Sequence, residues 1–214
     1  MIHYTHIKHL VDYTQMLEHM KYTVEQMINL KKNLKVDQID EYIFILQHYD
    51  VYTLGYNSKT EDILVDNLHI PVIQTNRGGM ITYHGPGQLV IYPIIDLTNR
   101  VQDLRWYIQS LAQIVINLCK YLNIQAFSDD KNVGVWVLNN NIKQKIASIG
   151  IRVKKWITYH GISININPNM SNFKIIKPCG FDGSIMTSLW ELGVKIDYSE
   201  ILQIIRYELY KLLC

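Results

Sequence analysis

The most constraining stretch of this chain lies between residues 133 and 166. Residues 133–138, 145–153 and 156–166 are three successive apolar, β-branched runs. Asn139-Asn140-Asn141 reads as a turn between the first two, and Lys154-Lys155 as a tight connection between the second and third. Connections this short only allow each strand to return beside the last, because parallel pairing needs a crossover of a dozen or more residues. The stretch therefore reads as meander-like β structure that favours antiparallel pairing, with helices from elsewhere packed on it.

Those helices are legible. Leu10, Tyr13, Leu17, Met20, Val24 and Met27 step by three and four, and Lys31, Lys32 and Lys35 follow as suits a helix C-terminus. Leu104, Tyr107, Ile108, Leu111, Val115, Leu118 and Leu122 mark a second long amphipathic helix. Asp197 with Glu200 reads as a capping box before a third, carried by Ile201, Ile204, Ile205, Leu209 and Leu212. Further strands are expected at residues 42–46, 51–54, 70–73 and 89–95, with a polar loop over 56–69. Pro71 places its strand near an edge or at a strand start. With no Pro/Gly/Ser-rich linker, residues 1–214 read as one α+β domain with helices on a mixed or largely antiparallel sheet.

Composition narrows the class. The formal net charge is +2, which argues against a dedicated nucleic-acid binder. No apolar run approaches the roughly 18–20 residues of a membrane span. Residues 1–10 lack the apolar core of a signal peptide. Three scattered cysteines, Cys119, Cys179 and Cys214, do not make a disulfide framework, so a reducing, cytoplasmic setting is expected. His6, His9 and His19 read as solvated surface.

Two segments hold the candidate chemistry. Arg77-Gly78-Gly79-Met80-Ile81-Thr82-Tyr83-His84-Gly85-Pro86-Gly87-Gln88 carries four of the chain's 11 glycines between two strands. Glycine admits close backbone approach to a ligand. Arg77 offers a cationic fork and His84 a proton shuttle. It is neither a dinucleotide fingerprint nor a P-loop, and a turn-rich strand connection gives the same composition. The second segment is Lys177-Pro178-Cys179-Gly180. Cys119 sits beside an apolar helical stripe and reads as packing. Cys179, between Pro and Gly, reads as a nucleophile. Its base or cation is one of His84, His160 and Lys145. Lys145 opens an apolar strand, where it is either desolvated, with its pKa lowered, or snorkelling to water. His84, His160 and Cys179 lack the close spacing of a zinc site, and no metal is expected.

Four motifs in order resemble the lipoyl(octanoyl) transferase family. Arg77-Gly-Gly-x-x-Thr82-Tyr83-His84-x-x-Gly87-Gln88-x-Val90-x-Tyr92 is similar to its signature. Val51-Tyr-Thr-Leu-Gly55 is similar to an early strand. Lys145-Ile-Ala-Ser-Ile-Gly150, with Trp156-x-Thr158-x-His160-Gly161, resembles its lysine strand and hairpin. Pro178-Cys179-Gly180, with Thr187-Ser188-Leu189, resembles its cysteine loop. Tyr49-Asp50 stands where the family usually has two prolines, and residues 181–186 are looser than its usual run.

The resemblance implies the fold of biotin and lipoate protein ligases and an octanoyltransferase without a cofactor. The donor would be octanoyl-acyl carrier protein. The acceptor would be a lysine on lipoyl domains of 2-oxoacid dehydrogenases or on the glycine-cleavage H protein. It implies Cys179 and Lys145 as a catalytic pair. Arg77, Gly78, Gly79, Met80, Ile81, Thr82, Tyr83, His84, Ser148, Ile149, Gly150, Gly161, Ile162 and Ser163 are implied as substrate-binding positions. An ATP-dependent lipoate or biotin ligase on the same fold is the alternative, and Pro178-Cys179-Gly180 argues against it.

Overall fold

Strand residues in this chain alternate between two hydrophobic layers, one on each side of a sheet. The computed structural model describes residues 1–34, 38–98, 100–129 and 131–213. Lys35 and Cys214 lie outside them. In chain order the elements begin with β1 (Ile2–Val11), α1 (Tyr13–Leu34), β2 (Glu41–His48), β3 (Val51–Leu54), β4 (Val72–Gln74), β5 (Thr82–His84) and β6 (Gln88–Ile94). They continue with α2 (Leu104–Tyr121), β7 (Ala126–Ser128), β8 (Val135–Asn139), β9 (Ile142–Lys154), β10 (Ile157–Asn165) and α3 (Tyr198–Leu213). Seven strands form the main sheet in the order β1-β2-β6-β10-β9-β8-β7, and β4-β3-β5 form a second, small sheet. Only the β1–β2 pair of the main sheet is parallel. The mixed sheet with three helices is the α+β architecture expected.

Burial follows the period of two. Ile43 and Ile45 of β2, with Leu89 and Ile91 of β6, join α2 and α3 in one core. Phe44 and Leu46, with Val90, Tyr92 and Ile94, join the Met16, Met20, Val24 and Met27 face of α1 in the other. Strands covered on both faces read as continuous apolar runs, as β2 and β6 do.

The meander forms as expected, with turns one residue from their anticipated places. Asn140 and Asn141 (φ 49° and 63°) turn β8 into β9, and Lys155 and Trp156 (φ 52° and 64°) turn β9 into β10. Two consecutive positive φ values give a hairpin turn whose twist matches its strands. Lysine and tryptophan are unusual there. The Leu97 amide, donating to the Trp156 carbonyl at 2.9 Å, helps hold that turn.

Strand β1 was not anticipated. Leu10, assigned above to a helical face, lies in it, and the helix starts only after Asp12, whose carboxylate accepts from the Gln15 amide at 3.0 Å. β1 is an edge strand, mostly half-buried along its length, so it carries no hydrophobic alternation to read. Strand β4 holds Val72–Gln74, just past Pro71, at the edge of the small sheet. Asp197 caps α3 through the Ser199 amide at 2.7 Å.

Candidate active site

Strand β8 is short and pairs with β9 only as far as Ala147. The far half of β9 is therefore an open edge on that side, and the glycine loop between β4 and β5 docks there. The Gly78 amide donates to the Ile151 carbonyl at 2.9 Å. A Cβ at Gly150 would sit 2.9 Å from the Gly78 carbonyl oxygen, so a side chain at 150 would lift the loop away. Arg77 clamps the same loop to the small sheet. Its guanidinium donates to the Thr53 carbonyl (2.6 Å) and hydroxyl (2.8 and 3.2 Å) and to the Gly78 carbonyl (3.1 Å).

Between this loop and the main sheet lies a cleft with about 510 Å³ of empty volume, partly open to solvent. The cross-strand pairs Ser148–Ser163 and Gly150–Gly161 supply a wall of small side chains.

Regular alternation would put Lys145 and Ser148 on opposite faces of β9, yet both line this cleft. Val135 pairs with Ala147 but Trp136 pairs with Lys145, so the register slips by one residue at Ile146. This β-bulge sends consecutive Ile146 and Ala147 into one core and turns Lys145 to the cleft. The segment following the cysteine loop then docks on the lysine backbone, with the Thr187 amide donating to the Lys145 carbonyl at 2.9 Å.

Cys179 thereby meets Lys145 across 34 residues of sequence. Lys145 Nζ donates to Sγ at 3.1 Å and to the Val133 carbonyl at 2.7 Å. Lys145 is 1% exposed and does not snorkel. Cys179 is half-buried and has φ 57°, a left-handed backbone uncommon outside glycine, held within a short 3-10 turn after Pro178. Among the described residues no carboxylate pairs with Lys145 or Arg77. Two buried basic side chains without a carboxylate partner suit negative charge developing on sulfur or oxygen.

Of the positions expected at the site, Arg77, Gly78, Gly79, Met80, Ile81, Thr82 and His84 line the cleft. So do Lys145, Ser148, Ile149, Gly150, Gly161, Ile162, Ser163 and Cys179. Tyr83 does not, which corrects its place in that set. It alternates with Thr82 and His84 along β5, so its ring points the other way, packing edge-on to Phe173 at 5.3 Å. Its hydroxyl donates at 2.5 Å to Asp50, one of the two residues that depart from the family pattern.

Tyr13, Val90, Tyr92 and His160 also line the cleft. Tyr13 looks like a core position in the sequence, and only the packing of α1 against β6 brings it to the cleft. His160 was considered as a base but not placed among the binding positions. With φ 58° inside β10, its ring stacks on that of its neighbour Tyr159 at 5.0 Å, although strand neighbours normally face opposite ways.

Neither histidine is poised as a base near neutral pH. Burial lowers His160 to about 3, with Arg77 adding to the effect, and lowers His84 well below 6.5, helped by His48 and Arg77. His84 Nδ1 lies 2.6 Å from Gln88 Oε1. Behind them burial lowers His48 to about 4. The Thr82 hydroxyl and His160 Nδ1 have no hydrogen-bond partner among the described residues. Among those residues no group of three His, Cys, Asp or Glu is arranged to hold a metal ion.

These three imidazoles make stability depend on pH. Each stays neutral when folded and takes a proton when unfolded below about pH 6.5. Their contribution is complete above that pH and is lost as pH falls toward the folded values. From about pH 6 to about pH 5 the loss from His48 and His160 is about 2 kcal/mol, or roughly 6 °C in Tm, and His84 adds to it in the same direction. Thermal melts at the two pH values measure it, and an unchanged Tm contradicts the neutral cluster.

Residues 12–209 match the lipoyl protein ligase A/B catalytic domain. The octanoyltransferase of Rickettsia canadensis is 43% identical over 99% of both chains. The bipartite lipoate protein ligase of Thermoplasma acidophilum superposes with a TM-score of 0.71 at 12% identity, over 99% of this chain and 83% of that one. The biotin protein ligase of Aquifex aeolicus superposes with a TM-score of 0.54 at 16% identity, over 99% of this chain and 70% of that one. No described helix is long and apolar enough to cross a membrane. On its sequence match, and with the fold shared by lipoate and biotin protein ligases, the chain belongs to the octanoyltransferase family.

Proposed function

We propose that the chain, residues 1–214 acting as one catalytic unit in the cytoplasm, transfers an octanoyl group by way of a thioester on Cys179. The donor is octanoyl-acyl carrier protein. The acceptor is a lysine on a lipoyl domain of a 2-oxoacid dehydrogenase or on the glycine-cleavage H protein. The observation that carries this reading is the 3.1 Å contact between Lys145 Nζ and Cys179 Sγ, beside a cleft with one wall of small residues.

In the first half-reaction the Cys179 thiol gives its proton to Lys145 as Sγ attacks the donor carbonyl carbon. The C–S bond to the carrier breaks, and Lys145 returns the proton to the departing carrier thiolate. In the second, the acceptor amine attacks the Cys179 thioester, Lys145 takes a proton from that amine, and Cys179 leaves as thiolate. Backbone amides of the glycine loop stabilise the oxyanion, other than Gly78, whose amide is already bonded to Ile151. Arg77 acts through the loop it clamps and through its buried charge.

Cys179 also borders a second, more open groove beside Asn57, Leu104, Ile108 and Asn132. The inner cleft takes the acyl chain, and the outer groove admits the carrier arm and then the incoming lysine. The thioester is already activated, so no cofactor and no nucleotide is needed. Transfer from octanoyl-carrier protein to a lipoyl domain in nucleotide-free buffer is the test. Transfer at the same rate with and without ATP is expected. Transfer from free octanoate that requires ATP supports the ligase alternative instead.

A further inference from the structure

Lysine has a flexible four-carbon stem, and a 3.1 Å contact with sulfur survives only if the amine is held. We infer that Trp136 is the positioning residue of the Cys179–Lys145 pair, an assignment that rests on the reading of that pair above.

Trp136 touches each part of the arrangement. The bulge in β9 puts it directly across from Lys145, whose Nζ lies 5.3 Å from the indole centroid. Once protonated, the amine is attracted to that aromatic face. The indole N–H donates to the Asn132 carbonyl at 2.8 Å. That bond anchors the segment in which the Val133 carbonyl accepts from Lys145. The same segment leaves the lysine no slack, since a Cβ on Gly134 would sit 2.3 Å from Lys145 Cε. The indole also meets Phe181 edge to face at 6.1 Å, two residues after Cys179.

The surroundings fix the ring itself. Lys143 Nζ lies 4.4 Å from its centroid and pairs with Asp129. Asp129 in turn accepts from the Asn132 amide at 3.2 Å. Trp136 is 1% exposed and does not line the cleft, so it acts through Lys145 and the cysteine loop without touching substrate. One side chain thus ties the base, its carbonyl acceptor and the nucleophile loop together.

Two variants separate its contacts. Trp136→Phe keeps an aromatic face for Lys145 and Phe181 but loses the bond to Asn132. Trp136→Leu loses both. Each is compared with wild type in Tm, in the rate of Cys179 alkylation by iodoacetamide, and in single-turnover acylation by octanoyl-carrier protein. Loss of positioning predicts that Trp136→Leu slows alkylation and acylation by about 10–100-fold, with KM within about threefold and Trp136→Phe in between. Lys145→Met combined with Trp136→Leu acylates no more slowly than Lys145→Met alone. A lowered Tm with wild-type alkylation and acylation in either folded variant overturns the inference, as do additive losses in the double variant. Should wild type form no octanoyl adduct, the proposed function fails. The alkylation rates then still decide the role of Trp136, because they read the pair without the acyl substrate.

Discussion

Cys179→Ala lowers octanoyl transfer by at least about 10³-fold while leaving the fold and Tm nearly unchanged. The side chain is half-buried at the surface of two grooves, so its removal leaves no closed cavity. Cys119→Ala gives the opposite pattern. That residue is fully buried in α2, and burial pushes its thiol up to about 12, out of reach of thiolate chemistry near neutral pH. It costs some Tm and leaves turnover intact. Parallel turnover and melting curves for the two variants check this, and substantial transfer by Cys179→Ala rejects the covalent route.

Lys145→Arg and Lys145→Met both lose about 10²–10⁴-fold in single-turnover acylation. Arginine keeps the charge but not an exchangeable proton, since guanidinium stays protonated. Methionine keeps the approximate length and loses the charge. A purely electrostatic lysine predicts that the arginine variant largely survives while methionine fails. Near-wild-type rates in both reject any catalytic role. The acid–base role is favoured because the acceptor amine must lose a proton in the second half-reaction.

The sequence makes the fold legible where it imposes a pattern. The two hairpins of the meander, the three helices and the doubly covered strands β2 and β6 each leave a period or a turn. Strand β1 leaves none, because its side chains lie half in and half out of solvent along its length. The family was legible from four ordered motifs, and it is the family that the 43% identical relative shows. The motifs also drew together the residues that line the cleft, with Tyr83 the exception that strand alternation explains.

Other parts of the cleft are products of long-range packing. Tyr13 has no local signature separating it from core tyrosines, whereas Val90 and Tyr92 close the quoted signature motif and line the cleft. The bulge at Ile146 did leave a trace, because Lys145 and Ser148 are three residues apart and share a strand face only if the register slips between them. The left-handed backbone of His160 and Cys179 left no such trace, as no glycine stands at either position to announce it.

The central claim is that the acyl group passes through Cys179, and intact-mass analysis tests it most directly. Wild-type protein is mixed with octanoyl-carrier protein in the absence of acceptor, quenched in acid and weighed, and the modified peptide is mapped. The account predicts one octanoyl group per chain, located on Cys179, removed by hydroxylamine and discharged on adding a lipoyl domain. An unmodified enzyme that nonetheless transfers octanoyl to that domain, or an adduct on any other residue, contradicts it.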